Sequence, residues 1–330
     1  DKIKITIAGA GGMARERALA LHQSKLVTVC GIYSRKIENT CELCDLTGAD
    51  GFDDYGRMLE IGDAVVICLP NFLHTKYALE ALARGKHVLV EYPLCTQHSD
   101  ILKLQKAALA AGTVLMVGNT IIHEEMFRYL MKHKDRLGKI LSASSRVSLY
   151  SEQLQDAWYM DKTCYGGLFT AFHYHHIEYY RHLLGAVDSV YASEESVADT
   201  KEPHRNSTTG GSLVMQHKGS GTSCIQWYLS RYGDSSPRGM WINGTKDSVT
   251  IVSHEDNKSL VLWGHGKEGD SEVLNDSWGI SGSTNDFIQA IIGNMGHKVR
   301  LQSDISTLQV GQTADESAKQ QKKIKIEHYQ

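Results

Sequence analysis

The chain has 330 residues, 42% of them hydrophobic and 22% charged, with a formal net charge of −3. That length suits two hydrophobic cores better than one, and the composition is that of a folded globular protein. The slightly acidic balance excludes the basic surplus a nucleic-acid partner needs, and no apolar run approaches the ~20 residues that span a bilayer.

The opening Asp1-Lys2-Ile3-Lys4 runs into a strand pattern without an apolar leader, so a cytoplasmic protein is expected. Residues 3–8 read as a strand, followed at once by Gly9-Ala10-Gly11-Gly12-Met13-Ala14 and a helical pattern over 15–22. Residues 26–33 read as a second strand and 36–47 as a helix. That helix holds Cys41-Glu42-Leu43-Cys44, a spacing that admits a redox or zinc reading. With no second CxxC and an odd total of seven cysteines, ordinary free thiols are the expectation. A buried strand at 64–69 closes on Pro70-Asn71, and a helix over 75–83 stops at Arg84-Gly85, with glycine as the C-terminal cap. A strand at 87–90, a helix at 99–111 and a strand at 114–117 follow. Continuous apolar strands alternating with helices predict a parallel sheet covered on both faces.

After residue 120 the pattern changes, so the expected domains are 1–120 and 121–330. A helix at 124–134 leads to a long strand at 140–150, an irregular stretch, and a helix at 169–184. Strands are expected at 188–197, 211–217, 222–230, 239–243, 248–252 and 259–263, with glycine-rich turns. Helices at 284–293 and 304–320 and a strand at 323–327 close the chain. The fold class is therefore α/β followed by α+β: a doubly wound parallel sheet, then a mostly antiparallel sheet with helices on one face.

The glycine motif follows a strand, opens a helix and lies in a βαβ unit, the context in which it marks a Rossmann dinucleotide site. Gly9 allows the tight turn, Gly11 lets the backbone approach a pyrophosphate, and Ala14 takes the helix-packing position. Gly12 and Met13 add first-turn N–H groups for the phosphates. An NAD site calls for an acidic residue about 20 positions on, yet no Asp or Glu stands between Glu16 and Glu38. The second strand ends instead in Tyr33-Ser34-Arg35-Lys36, a hydroxyl and two cations suited to a 2′-phosphate. NADP(H) is thus the expected cofactor, with NAD(H) as the alternative. A solvated helix start is the other reading of Arg35 and Lys36.

Pro70-Asn71-Phe72-Leu73-His74, the run Gly85-Lys86-His87-Val88-Leu89-Val90-Glu91-Tyr92-Pro93-Leu94, and Gly118-Asn119 occur in an order that resembles the Gfo/Idh/MocA family of dinucleotide-dependent oxidoreductases. The likeness continues through Trp158-Tyr159-Met160-Asp161, Gly166-Gly167 and Ile242-Asn243-Gly244-Thr245-Lys246 to Asp286-Phe287. The resemblance implies a Rossmann domain, an open antiparallel sheet used for homodimer or homotetramer contacts, and hydride transfer at a sugar or polyol carbon. Pro70, Asn71, His74 and Glu91 are expected beside the cofactor and Asn119 and Glu178 at a small-molecule substrate, while Trp158 and Tyr159 either line the substrate cleft or belong to the core. Two departures stand out. Family members generally read Glu-Lys-Pro where this chain has Glu91-Tyr92-Pro93, and they place Asp and His four apart on a helix, where this chain has Ala171 and His175. Glu-Tyr-Pro resembles the biliverdin reductases of the same broad family.

The expected helix at 169–184 carries His173, His175, His176, Glu178 and His182. Helical spacing puts Ala171, His175, Glu178 and His182 on one face. Carbonyl reduction needs a proton donor, and a histidine whose pKa is raised by a nearby carboxylate would serve, so His175 is the first candidate. Tyr92, whose phenol can donate to a developing alkoxide, is the second. No metal is expected, because neither this helix nor His123-Glu124-Glu125 has a zinc-type ligand set. Three readings follow: an oxidoreductase acting on a sugar-like or other carbonyl substrate, a bilin reductase, and a dinucleotide-binding protein that has lost catalysis and acts as a sensor or partner.

Overall fold

The computed structural model describes residues 2–150, 158–161, 163–219, 221–230, 238–254, 258–264, 270–275, 278–293 and 297–326. The chain divides into two compact units, Asp1–Thr120 with Gly279–Ile305, and Ile121–Trp278 with Ser306–Gln330. The sequence reading assigned residues 279–305 to the second domain; their inclusion in the first is a difference.

The first unit is built on six strands: β1 (Ile3–Ala8), β2 (Val27–Tyr33), β3 (Asp50–Phe52), β4 (Ala64–Ile67), β5 (His87–Val90) and β6 (Leu115–Val117). All five pairings are parallel, in the order β3-β2-β1-β4-β5-β6. The helices are α1 (Gly12–His22), α2 (Cys41–Thr47), α3 (Tyr55–Ile61), α4 (His74–Ala83) and α5 (His98–Ala111). This is the doubly wound Rossmann order, with its switch point between β1 and β4, where such sheets bind ligands at the strands' carboxyl ends. The strands are apolar throughout because helices cover both faces: Ile5, Ile7, Val65, Val66 and Leu89 are fully buried. The helix Ile280–Ile292 returns to this core through Phe287 and Ile288, which cluster with Ala14, Ala18 and Leu21 of α1. Sequence patterning missed β3 and α3. Each is short, and β3 exists only by pairing with Gly31, Ile32 and Tyr33 of β2. Asp54 caps α3, its side chain accepting from the Arg57 N–H at 2.9 Å.

The second unit holds nine strands, β7 (Ile140–Tyr150), β8 (Val187–Ala198), β9 (Asn206–His217), β10 (Thr222–Ser230), β11 (Gly239–Gly244), β12 (Ser248–His254), β13 (Lys258–Trp263), β14 (Ser271–Asn275) and β15 (Ile324–Lys325). Their order is β14-β13-β12-β11-β7-β10-β9-β8-β15, antiparallel except for the β7–β10 pair. Its helices include α6 (Glu125–Leu137), α7 (Leu168–Phe172) and α8 (Tyr174–Leu184); α9 is Ile280–Ile292 and α10 is His297–Gln320. Alternation explains the layering. Leu213, Met215, Ile225, Trp227, Val249, Ile251 and Val261 join Phe127, Leu130, Ile177 and Leu183 in one core, while Tyr191, Val214, Tyr228, Leu262 and Val273 stay exposed on the other face. β9 begins earlier than its apolar residues suggest, and β14 has one buried residue, Leu274, too weak a pattern to read from sequence.

The expected single helix over 169–184 is two. His173 adopts φ −108°, ψ 8°, ending α7 and starting α8. Ala171 therefore leaves the face on which the periodicity placed it with His175, Glu178 and His182. Among the described residues no helix is long and apolar enough to cross a membrane.

Candidate active site

The turn after β1 is dictated from within. Gly9 has φ +124°, and a Cβ there would stand 2.5 Å from the Cys68 carbonyl oxygen. Gly11 and Gly12 are different: a Cβ on either meets nothing within 4 Å. Both are exposed, Met13 is half-buried, and α1 begins on Gly11 with no side-chain cap. Its first N–H groups thus face an open cradle at the carboxyl end of β1. Ala14 is fully buried beneath the turn.

At the end of β2, Ser34 is half-buried and donates its N–H to the Phe52 carbonyl at 3.0 Å. Arg35 and Lys36 are exposed and form no ion pair among the described residues. Beside them lies a feature the sequence did not announce. The hydroxyls of Tyr33 and Tyr77 are 3.0 Å apart, the Tyr55 hydroxyl donates to the Tyr77 carbonyl at 3.0 Å, and the three rings pack with centroids 4.6 to 5.8 Å apart. Burial and the neighbouring Tyr77 hydroxyl push the Tyr33 phenol up to about 12.

The Pro70–Glu91 group is more structural than expected. Pro70 is half-buried and Asn71 buried in the turn that leads into α4. His74, expected at the cofactor, is fully buried, with Nδ1 2.7 Å from the Pro93 carbonyl and Nε2 2.7 Å from the Leu69 carbonyl. Its two nitrogens tie the end of β4 to the turn after β5, and none is left for a ligand. Burial holds its pKa below the ordinary value despite these contacts. Glu91 is 6% exposed, and its Oε1 accepts from Nε of the fully buried Arg17 at 2.6 Å. Arg17 also donates to the Gly118 carbonyl at 2.9 Å and the Thr284 hydroxyl at 3.0 Å. The sequence reading missed Arg17, though a signal was present: it sits with Ala14, Ala18 and Leu21 on the inward face of α1. Tyr92, next in the chain, is half-buried and precedes a cis proline bond. Asn119, expected at the substrate, is 2% exposed and donates from Nδ2 to Asp304 at 2.9 Å. Its amide serves the interior of the first unit.

In the second unit, α7 is held by Asp315 of α10, whose carboxylate accepts from the N–H groups of Phe169 (2.9 Å) and Thr170 (3.0 Å). Glu178 is 1% exposed and engaged by Arg181 (3.0 Å), His182 (3.0 Å) and the Thr307 hydroxyl. Burial pushes its carboxyl up, but these partners outweigh it and hold the pKa below the ordinary value. Glu178 therefore anchors α8 to α10, and the expected substrate contact is replaced by an internal ion-pair cluster. His175 is half-buried, and burial, reinforced by His176, pushes its pKa down to about 3. The expectation of a raised value is overturned because burial and His176 outweigh the upward pull of Glu178. His173 packs on Trp227 with ring centroids 5.0 Å apart. Trp158 is half-buried against the same core, and the Tyr159 side chain lies outside the described residues.

Family profiles match two stretches of the chain. Residues 3–119 match the oxidoreductase family with an NAD-binding Rossmann fold, and 131–250 match the GFO/IDH/MocA C-terminal domain. Glucose-6-phosphate 3-dehydrogenase of Bacillus subtilis (strain 168) is 32% identical over 110 residues, 33% of this chain and 30% of that enzyme, so the match spans about a third of the relative's length. Biliverdin reductase of Synechocystis sp. PCC 6803, solved with biliverdin and NADP+, superposes with a TM-score of 0.85 at 17% identity over 96% of this chain and 99% of that one. The WlbA dehydrogenase of Bordetella pertussis, solved with NADH and UDP-GlcNAcA, gives a TM-score of 0.84 at 20% identity with full coverage of both chains. With both family profiles matched, together over most of the chain, and the strand order observed, the chain belongs to the Gfo/Idh/MocA family of oxidoreductases.

Proposed function

We propose that this protein is an NADP(H)-dependent oxidoreductase acting on a sugar-like substrate. The observation that carries the reading is the turn at the β1/β4 switch point. There the fold itself requires Gly9, whereas the absence of side chains at Gly11 and Gly12 has no internal reason. A pyrophosphate lying on the first N–H groups of α1 would use that space, so the residues fit a dinucleotide. Arg35 and Lys36 would hold a 2′-phosphate, in place of the carboxylate that a 2′-hydroxyl would need. The bound dinucleotide supplies or accepts the hydride.

The protein's own task is then to bind the reacting oxygen and answer its change of charge. With its pKa near 3, His175 is neutral at physiological pH and offers one N–H as a hydrogen-bond donor, the role of the neutral histidine in triosephosphate isomerase. Tyr92 offers a phenol for the same task. The named sugar dehydrogenase among the relatives supports a hydroxylated substrate. The Tyr92 substitution supports a second reading, bilin reduction, which a colour change of biliverdin with NADPH tests directly. The exposed apolar face of the second unit's sheet supports a homodimer or homotetramer formed through it, measurable by light scattering.

Fluorescence titration with NADPH and NADH tests the main reading. One or two charge-assisted contacts at about 1.5–3 kcal/mol each predict at least about tenfold tighter binding of NADPH. Arg35→Ala should abolish most of that preference. Equal affinity for the two dinucleotides sinks the assignment.

A further inference from the structure

The three tyrosines beside the end of β2 join separate elements of the first unit. Tyr33 is the last residue of β2; its carbonyl accepts from the Gly9 N–H at 2.9 Å, and its hydroxyl lies 3.0 Å from that of Tyr77 in α4. Tyr55 of α3 donates to the Tyr77 carbonyl at 3.0 Å. The glycine turn, the end of β2 and the start of α4 are thereby tied to one another.

Lys76 stands one residue before Tyr77. It is exposed, and its Nζ lies over the Tyr77 ring, 5.6 Å from the centroid. The face of a phenol ring attracts a cation, which favours one placement of a side chain that otherwise has many. Arg35, two residues beyond Tyr33, is close enough for its charge to act on the Tyr33 phenol. The acids that bear on the same rings are occupied: Asp54 accepts from the Arg57 N–H at 2.9 Å, and Glu80 pairs with Arg84 at 3.3 Å. Arg35, Lys36 and Lys76 form no ion pair among the described residues. Cations gathered in one place repel one another, and a dianion among them relieves that cost.

We infer that Lys76 is a further specificity-determining residue, which joins Arg35 and Lys36 in holding the 2′-phosphate of the dinucleotide, so that the phosphate is clamped between the end of β2 and the start of α4. Tyr77 is the positioning residue: its ring lies under the ammonium, and its hydroxyl ties that ring to the strand whose continuation carries Arg35. The assignment rests on the NADP(H) reading and adds to it a cation from an element that neither the glycine motif nor the strand end announces.

Isothermal titration of the full chain with adenosine 2′,5′-bisphosphate and with 5′-AMP tests it, because the two probes differ by the 2′-phosphate alone. The unmodified protein should bind the bisphosphate about tenfold or more tightly than 5′-AMP. Lys76→Met keeps an apolar stem on the ring and removes the charge; it should weaken the bisphosphate by about fivefold or more and leave 5′-AMP unchanged, whereas Lys76→Arg should keep the advantage. A bisphosphate advantage that survives Lys76→Met in full overturns the inference; if that advantage disappears in Arg35→Ala, the NADP(H) reading stands without Lys76. Equal losses for both probes in Lys76→Met overturn it too, since the lysine would then act on α4 and not on the phosphate. Equal binding of the two probes by the unmodified protein refutes the NADP(H) preference itself, and the role of Lys76 with it.

Discussion

Replacing Arg17 by Met should be among the most costly single changes in the first unit. The guanidinium is fully buried, and the Glu91 side chain opposite it at 2.6 Å is 7% exposed. Removing the cation leaves a carboxylate in an apolar interior, which costs about 3–5 kcal/mol when a buried pair is broken from one side. The Gly118 carbonyl loses its donor as well, about 1 kcal/mol more. That is a large share of the roughly 5–15 kcal/mol by which domains of this kind are stable. Glu91→Leu should be destabilising too, because it leaves the buried cation without its counter-charge. The double variant Arg17→Met/Glu91→Leu carries no buried charge and should be more stable than Arg17→Met alone, with a coupling energy of at least about 2 kcal/mol. Urea denaturation followed by far-ultraviolet circular dichroism measures all four proteins, with comparable m-values expected. If the double variant loses the sum of the two single losses, the side chains do not form a coupled pair and the reasoning is wrong.

The glycine turn separates a folding role from a binding role. Gly9→Ala forces a Cβ against the Cys68 carbonyl at φ +124° and should cost about 1–3 kcal/mol of stability, whereas Gly11→Val should keep its melting temperature and lose most NADPH affinity; normal NADPH binding by a folded Gly11→Val would move the phosphate site elsewhere. The neutral histidines of α8 predict an acid-sensitive fold. His176 titrates near 4 and His175 near 3 in the folded protein, against an ordinary 6.5, so the unfolded chain binds more protons between those values. Their contribution is complete above pH 6.5 and is lost as pH falls towards 4 and then 3, by up to about 1.4 kcal/mol per pH unit for each ring. Urea midpoints at pH 7, 5.5 and 4.5 should decline in that order, and a flat series would mean that the rings are not buried neutral. His175→Ala should lower kcat by about 10²–10³-fold, the cost of one positioned hydrogen-bond donor, with NADPH affinity unchanged, and Tyr92→Phe by about tenfold or less. A larger loss for Tyr92→Phe, measured on the same substrate, reverses the two roles and favours bilin reduction.

The order of elements was legible in the sequence wherever a local pattern encodes it. Continuous apolar runs announced β1, β2, β4 and β5, period-two alternation announced β10, β12 and β13, and the spacing of Gly9, Gly11 and Ala14 announced the phosphate turn. Such signals lie within a few residues of one another, and backbone geometry converts them directly into strand, turn or helix. What escaped was everything that depends on distant partners. The strand β3 exists through β2, and Asp315 reaches back 145 residues to Thr170. His74, Asn119 and Glu178 carry the right chemistry for a site, yet Pro93, Asp304 and Thr307 claim them for the interior. Arg17 meets Thr284 across 267 positions, and that link places the helix Ile280–Ile292 with the first unit. The sequence alone determined which residues could do chemistry and which elements carry them. Only the tertiary structure decided which of those residues are free to do it, because burial and hydrogen-bond partnership, and through them the pKa of a ring such as His175, are set by neighbours brought together by folding.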